Sequence, residues 1–456
     1  MMLKQEWRNM KKNLFLSVLM LAGIDLFAQT ISLEQARLMA LANSRSLARY
    51  SLAIQSSILE EKSQLYTMLP SVSADYNASM FYLNRDWGFV NPTDTFGAGF
   101  NFAVTQKIFE GGKSFIQKAL CEIATESVRK EALAEFFNVL DAADNAYYAV
   151  LEAAASLEAA ESSLQTANLS LAIAEVRQSG GIINQGDYLK ALAEKESREN
   201  TRNQARRNLA LCYSKFRNLT GLTQTVELEQ INFSAHERLI VLFAGITDEE
   251  ADVLYANLLK ILLKTNPSLA RALLNNQRAE KNLSLAKRDF APTLSATLFS
   301  TALSYSVTNG FGSTASGGIT LRGSIPLDFW VLNNRIEKSK NAQISAALDY
   351  ANTENSLETE LQSALLNALA QAGTIVSSRR ALEYAEKHFE YVMERYRLSQ
   401  SSVSDLGEAS SLLISNRNNL IRAQYGFLQS LSKLRSLCAV DDEKKLVAIL
   451  TGSGED

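Results

Sequence analysis

Gly112-Lys113-Ser114 follows a strand pattern and opens a helix, as the end of a phosphate-binding loop would. Such a loop cradles phosphate with backbone N–H groups, and its first glycine would fall at 107, which is Lys107. The cradle is incomplete, so nucleotide binding is not expected. The two histidines, His236 and His388, lie far apart and define no metal site. Cys121, Cys212 and Cys438 are odd in number, without tight spacing and within helical patterns. They read as small core residues. No nucleophile–base pair is suggested, so no catalytic residue, metal or cofactor is assigned, and the chain is not read as an enzyme. Carboxylates remain. Asp187 and Asp405 each stand just after a turn, at the start of a helix, with Glu408 three residues beyond the second. A carboxylate there can accept from the free N–H groups of the first helical turn. If copies were crowded together, the same groups would repel one another and attract cations. Both readings stay open.

The elements that carry these acids occur twice. Leu47-Ala48-Arg49 and Pro70 return 222 positions later as Leu269-Ala270-Arg271 and Pro292. Gly181, Asp187 and Ala191 return at an offset of 218 as Ser399, Asp405 and Ala409. Repeat one spans 32–221 and repeat two 247–440, joined by a linker at 222–246. Each reads as a half-length helical segment, two strands, a very long helix, a turn and a returning helix.

No Pro or Gly interrupts Lys113 to Gln178. Phe136, Val139, Ala143, Ala146, Val150, Ala153, Leu157, Ala160, Leu164, Ala167, Leu171 and Ala174 recur every three or four residues, the signature of a coiled-coil seam. Small alanine knobs let helices approach closely. Repeat two carries the seam Leu357, Leu361, Ala364, Ala368, Ile375, Leu382, Ala385, Phe389 and Val392, interrupted at Gln371, Gly373 and Ser378. About 66 helical residues make a rod of roughly 100 Å, which needs partners along its whole length. The half-length segments 33–66 and 250–289 and the returning segments 187–218 and 405–436 supply some of them. Ser32 with Gln35 and Thr247 with Glu250 form plausible capping boxes at the half-helix starts. Lys130, Glu131, Glu152 and Glu158, off the first seam, read as a solvated face.

Between half-helix and long helix the period changes from 3.5 to 2. Strands are expected near 71–83, 96–109, 293–307 and 317–328. Val72, Ala74, Tyr76, Ala78, Met80 and Tyr82 alternate with Ser73, Asp75, Asn77 and Ser79. Phe96, Ala98, Phe100, Phe102 and Val104 share one face of the second strand. In the third strand the apolar phase changes between Leu298 and Leu303, which predicts a bulge. Ile319, Leu321, Ile325 and Leu327 share the apolar face of the last. Residues 84–95 and the Gly/Ser/Thr-rich stretch 308–316 read as loops. Such strands are the pattern of a membrane barrel. Four cannot close around a pore, so three chains would supply twelve.

The start of the chain agrees with this compartment. Lys11-Lys12, an apolar run over 14–22 and Leu26-Phe27-Ala28 have the order of a secretory signal, residues 1–28, with Met10 as an alternative start. Its loss removes four cations and two anions, taking the net charge from −3 to −5. An acidic chain is a poor nucleic-acid partner. No apolar run of about 18 residues follows, so a membrane crossing would have to be a barrel. Residues 441–456 read as a polar tail.

These residues resemble the TolC-type outer-membrane efflux duct family over nearly the whole mature chain. The carriers are Leu33-Glu34-Gln35-Ala36, Ala40-Leu41-Ala42-Asn43 with its echo Asn266-Pro267, and the bend Phe109-Glu110-Gly111-Gly112. Gly181, Asp187, Leu189 and Ala191 match the turn at the far tip, and Tyr396, Asp405 and Ala409 its second copy. The resemblance implies an α+β membrane protein built from two internal repeats. In it, a long α-helical coiled-coil barrel joins four transmembrane β-strands per chain, completing a 12-stranded β-barrel in a homotrimer. It implies a passive exit duct in the outer membrane, its helices in the periplasm, its barrel in outer-membrane lipid. The implied partners are a periplasmic adaptor and, through it, an inner-membrane pump of a tripartite efflux or type I secretion system. Asp187, Tyr396, Asp405 and Glu408 would form the periplasmic constriction, with the Tyr396 hydroxyl reaching Asp187. Gly180, Gly181, Ile182, Leu398 and Ser399 would form the adaptor-docking tip. Two departures stand out: Ser399 replaces a usual glycine, and the second bend, Asp328-Phe329-Trp330, lacks Gly-Gly. A periplasmic coiled-coil adaptor or scaffold without a pore is the alternative, but no β-domain of the adaptor kind interrupts the helices.

Overall fold

The computed structural model describes residues 30–81, 95–224, 226–306, 310–312, 316–440, 445–446 and 450. The expected signal at 1–28, loop residues 84–94 and most of the tail lie outside them. The helices are α1 (Leu33–Asn43), α2 (Arg45–Tyr66), α3 (Lys113–Ser179), α4 (Gln185–Thr220), α5 (Glu237–Gly245), α6 (Asp248–Thr265), α7 (Pro267–Lys287), α8 (Phe329–Arg397) and α9 (Val403–Leu437). The strands are β1 (Ser71–Phe81), β2 (Thr95–Phe109), β3 (Thr293–Ser306), β4 (Gly310–Gly312) and β5 (Ser316–Ser324). No helix among the described residues is long and apolar enough to cross a membrane.

Both capping boxes are formed, at Ser32/Gln35 and Thr247/Glu250. Each half-length segment is two helices, not one. Ser44 is extended, and its hydroxyl accepts from the Leu47 N–H at 3.3 Å, starting α2 afresh. Asn266 is extended because Pro267 follows it and disfavours the helical region for its predecessor. The two breaks do the same work in the two repeats. The Asn43 amide donates to the carbonyls of Asn218 and Leu219 at the end of α4, and the Asn266 amide to that of Leu437 at the end of α9. A returning helix leaves its last carbonyls without intrahelical partners, and these amides supply them.

By contacts the chain falls into two units. The first comprises the described parts of 1–48, 132–267 and 354–456 and is helical apart from the linker. Its core includes the small half of the seam: Ala143, Ala153, Ala160, Ala167 and Ala174 are all buried. In repeat two Gln371 interrupts the seam where a Gly426 Cβ would come within 3.2–3.5 Å of its amide, so the glycine makes room for it. Part of the supposed solvated face is covered. Glu158 is exposed, but Lys130 and Glu131 of the second unit and Glu152 of the first are half-buried. Burial raises the Glu152 pKa. The linker is tied in, since Ile31 exchanges backbone hydrogen bonds with Glu227 and Glu229. The tail is not wholly polar in its setting: Leu446 and Leu450 are buried. Asp144 is completely buried and accepts from Arg37 at 2.5 and 2.9 Å, from Arg435 at 2.7 Å and from the Ser432 hydroxyl at 2.8 Å. It ties α1, α3 and α9 at one point, and breaking such a pair leaves an uncompensated charge, at about 3–5 kcal/mol.

The second unit, 49–131 with 268–353, contains the antiparallel sheet. β2 lies between β1 and β3, and β4 and β5 share the other edge of β3. β4 falls inside the stretch read as a loop. The bulge is present: Phe100 pairs with Leu303 and Asn101 with Thr301, so Ala302 is extra. β5 ends at Ser324, short of the expected 328, because Pro326 cannot donate to a ladder. Direct pairing links Val72, Val104, Leu298 and Ile319 on one face, all exposed. The opposite face carries the row Ser71, Thr105, Thr297 and Thr320, with the Thr105 and Thr297 hydroxyls 3.1 Å apart. Phe299 breaks that polar face and covers Gly318, where a Cβ would lie 3.1 Å from its ring.

The sheet passes into α3 through two left-handed glycines, Gly111 (φ 63) and Gly112 (φ 78). A Cβ on Gly111 would lie 2.2 Å from the Ala291 Cβ, so the position is closed to any side chain. Arg288 donates to the Gly111 carbonyl at 2.7 Å, and Glu110 pairs with Lys107 at 2.8 Å. The segment at 109–112 is thus the expected bend between strand and helix. The second bend needs no such residues: α8 begins directly, with the Asp328 carbonyl accepting from Val331 and Leu332. Replacing Ala153 or Ala160 by Leu should overpack the seam and cost on the order of 1–3 kcal/mol. Denaturant unfolding of the variants beside the parent measures it, and unchanged midpoints would place both residues off the seam.

Candidate functional site

The expected constriction residues gather at the two turns that end α3 and α8. Both helices stop by the same motif. The Ile182 N–H donates to the Arg177 carbonyl at 2.8 Å, and the Gln400 N–H to the Arg395 carbonyl at 2.8 Å, closing a six-residue loop around a left-handed residue. That residue is Gly181 (φ 72) in repeat one and Ser399 (φ 62) in repeat two. The departure at Ser399 therefore leaves the turn geometry unchanged. The substitution pattern recurs at the far ends of the returning helices, where Gly221 (φ 78) has Ala439 (φ 51) as its counterpart. Repeat two holds with L-residues what repeat one holds with glycines. Gly180, Ile182 and Leu398 are exposed at the turns, as are Gly181 and Ser399.

The returning helices are capped by residues three before the acids. The Asn184 side chain accepts from the Asp187 N–H at 2.8 Å, and the Ser402 hydroxyl from the Asp405 N–H at 3.1 Å. The caps themselves are therefore Asn184 and Ser402, not the acids. Asp405 closes a capping box, its carboxylate accepting from the Ser402 N–H and the Ser401 hydroxyl, each at 2.9 Å. The Ser402 backbone donor and the serine hydroxyls hold its carboxyl below the usual range. Asp187 is half-buried, while Asp405 and Glu408 are exposed.

Tyr396 does not reach Asp187 in this chain. It is 1% exposed, and its hydroxyl donates to the Ser170 carbonyl on α3 at 3.2 Å. The residue missed by sequence reasoning is Arg177. It is buried, its guanidinium sits 4.5 Å from the centre of the Tyr396 ring, and it donates to the carbonyls of Tyr396 and, at 3.4 Å, Arg397. These carbonyls end α8, where a cation is favoured by the helix dipole and by unmet acceptors. Its counterpart Arg395 turns instead onto its own hairpin, at the Gln400 carbonyl, 3.0 Å away. The only advance signal was a cation three residues beyond Ala174, where the seam would continue. Around these polar links Ala174, Ala191, Val392, Met393, Leu406 and Ala409 form the tip's core.

A left-handed L-residue costs about 1–2 kcal/mol relative to glycine. Ser399→Gly should therefore raise unfolding stability by about 1 kcal/mol, and Gly181→Ala should lower it by about as much. Denaturant midpoints of the two variants test this, and a destabilised Ser399→Gly would contradict it.

Residues 258–440, most of repeat two, match the family model described as outer membrane efflux protein. Across 458 aligned residues the chain is 24% identical to outer membrane protein TolC of Escherichia coli K12, covering 94% of this chain and 87% of that protein. Its fold is similar to that of the Campylobacter jejuni CmeC outer membrane channel, with a TM-score of 0.75 at 15% identity, over 93% of this chain and 90% of that one. It is similar also to the outer membrane protein VceC of Vibrio cholerae, with a TM-score of 0.73 at 16% identity, over 89% and 95% of the two chains. Residues 258–440 thus match the outer membrane efflux protein family, and the chain as a whole is similar in sequence to TolC and in fold to outer-membrane channels of this kind.

Proposed function

We propose that this protein is a passive exit duct in the outer membrane, built from three copies of the chain. The sheet is the observation that carries the reading. Its apolar face is exposed, its other face bears hydroxyls and charges, and among the described residues neither β1 nor β5 has a partner on its outer edge. Exposed apolar residues facing lipid are stable, whereas an unpaired strand edge in hydrocarbon is not. Four antiparallel strands from each of three chains close both edges into a twelve-stranded barrel of alternating direction. The polar face then lines a water-filled lumen, and α3 and α8, of 67 and 69 residues, continue it as a helical wall in the periplasm. Nothing in the wall supplies energy. A periplasmic adaptor docking at Gly180, Gly181, Ile182, Leu398 and Ser399 couples the duct to an inner-membrane pump of a tripartite efflux or type I secretion system.

In this reading the tip is the constriction. Three chains bring three copies each of Asp187, Asp405 and Glu408 toward the axis, where crowded carboxylates favour cations. Arg177 and Tyr396 hold the two hairpins of each chain together beneath them. Asp405 serves both as capping partner and as charge.

The assembly is tested in detergent. Three chains of 50.3 kDa, counted before loss of the signal, set an upper bound of about 150 kDa of protein by light scattering. A stable monomer would remove the barrel and favour a pore-free scaffold. The gate is tested in planar bilayers, where a small cation-preferring conductance is expected. Asp405→Asn retains an acceptor for the Ser402 N–H and loses only charge, so it should weaken cation preference with the trimer intact. Because its hydrogen bonds hold the Asp405 carboxyl below the usual carboxylate range, its share of the preference should be fully present above that range and be lost only as pH falls below it. Unchanged selectivity in the Asn variant would leave Asp405 as a capping residue alone.

A further inference from the structure

The polar face of the sheet is not neutral along its length. At the end that leads into the helices, Lys107 on β2 pairs with Ser295 on β3, and Ser295 with Arg322 on β5. Direct pairing puts all three in one row on the hydroxyl-bearing face, one step from Thr105, Thr297 and Thr320. Lys107 is held by Glu110 at 2.8 Å. Arg322 is exposed. The anion on this face, Asp75, pairs with Asn101, three rows farther along the strands, and accepts from the Ser73 hydroxyl at 3.4 Å. A guanidinium on a wet sheet face presents five donors in a planar fork that suits carboxylate, sulfate and phosphate groups, and it stays charged at any working pH.

We infer that Arg322 makes the base of the barrel lumen a weak selectivity station for polyvalent anions, with Lys107 as a lesser contributor. The inference rests on the trimeric duct reading, which repeats the row three times around one lumen. Rings of Arg or Lys favour anions in pores, and low-dielectric walls focus their field across the passage. The tip acids and this row then have opposite preferences. Cargo bearing carboxylates or phosphates that has passed the tip meets attraction instead of repulsion where the helical wall becomes barrel.

The test is planar-bilayer recording with inorganic tripolyphosphate added on the barrel side. Wild type should show a concentration-dependent reduction of current in 0.1 M KCl that is largely lost in 1 M KCl, where the screening length falls from about 10 to about 3 Å. Arg322→Ser should need about tenfold more tripolyphosphate for the same reduction, and Arg322→Lys should retain most of it. Lys107→Gln should have the smaller effect, since Glu110 already engages that ammonium. Among the described residues Arg322 makes no hydrogen bond or ion pair, so the Ser variant should remain trimeric and form pores. Equal reduction in wild type and Arg322→Ser, or a reduction insensitive to salt, would overturn the inference while leaving the duct standing. Absence of any pore in wild type would instead overturn the duct reading itself.

Discussion

A helix of 67 residues is stable only if something lies against every turn of it, because its own hydrogen bonds offset little more than the entropy of ordering it. That requirement shapes the rest of this chain. It explains why alanine takes the buried half of the seam, where neighbouring helices must come close. It also explains why the shorter helices come in stacked pieces, with breaks at Ser44 and Asn266 where one piece hands over to the next. Each break turns into a contact, since the asparagine that ends α1 or α6 caps the returning helix beside it. The buried Asp144, held by Arg37 and Arg435, ties α1, α3 and α9 together electrostatically.

The two repeats agree in backbone and differ in side chain. Both tips close with one hydrogen-bond pattern, and both returning helices end on a left-handed residue, although glycine serves in the first repeat and Ser399 and Ala439 in the second. A turn geometry enforced by six-residue loop closure persists when the residue best suited to it is replaced, at a conformational cost that surrounding packing offsets. The side chains around the tips are freer. Arg177 crosses to the other hairpin while Arg395 stays on its own, so one chain presents two chemically unlike tips on like backbones.

Periodicity carries far when one face of an element meets one environment. The seam, the four strand positions, the bulge at Ala302 and both capping boxes were legible because each depends on local spacing or on residues three apart. Neighbours remote in sequence were not. Glu152 read as solvated because its own helix gives no sign of what covers it. The stretch at 310–312 read as loop because three residues, two of them glycine, carry no pattern, and only the exposed edge of β3 recruits them. Asp187 and Asp405 were recognised as residues of a first helical turn, yet the caps proved to be Asn184 and Ser402, an assignment that rests on backbone torsions.

By itself the sequence determined the duplication, the alternation of long helix with amphipathic strand pair, the glycine bend at Gly111-Gly112 and the positions of the tip acids. All of these follow from residue order and from the two backbone periods. Tertiary structure alone decided which groups meet. Tyr396 gives its hydroxyl to Ser170 and not to Asp187; Arg177 reaches the end of α8; Lys107, Ser295 and Arg322 share a row. Those contacts join residues from 27 to more than 200 positions apart. Helix-end acceptors and strand register select them, and neither is written in the spacing of any one element.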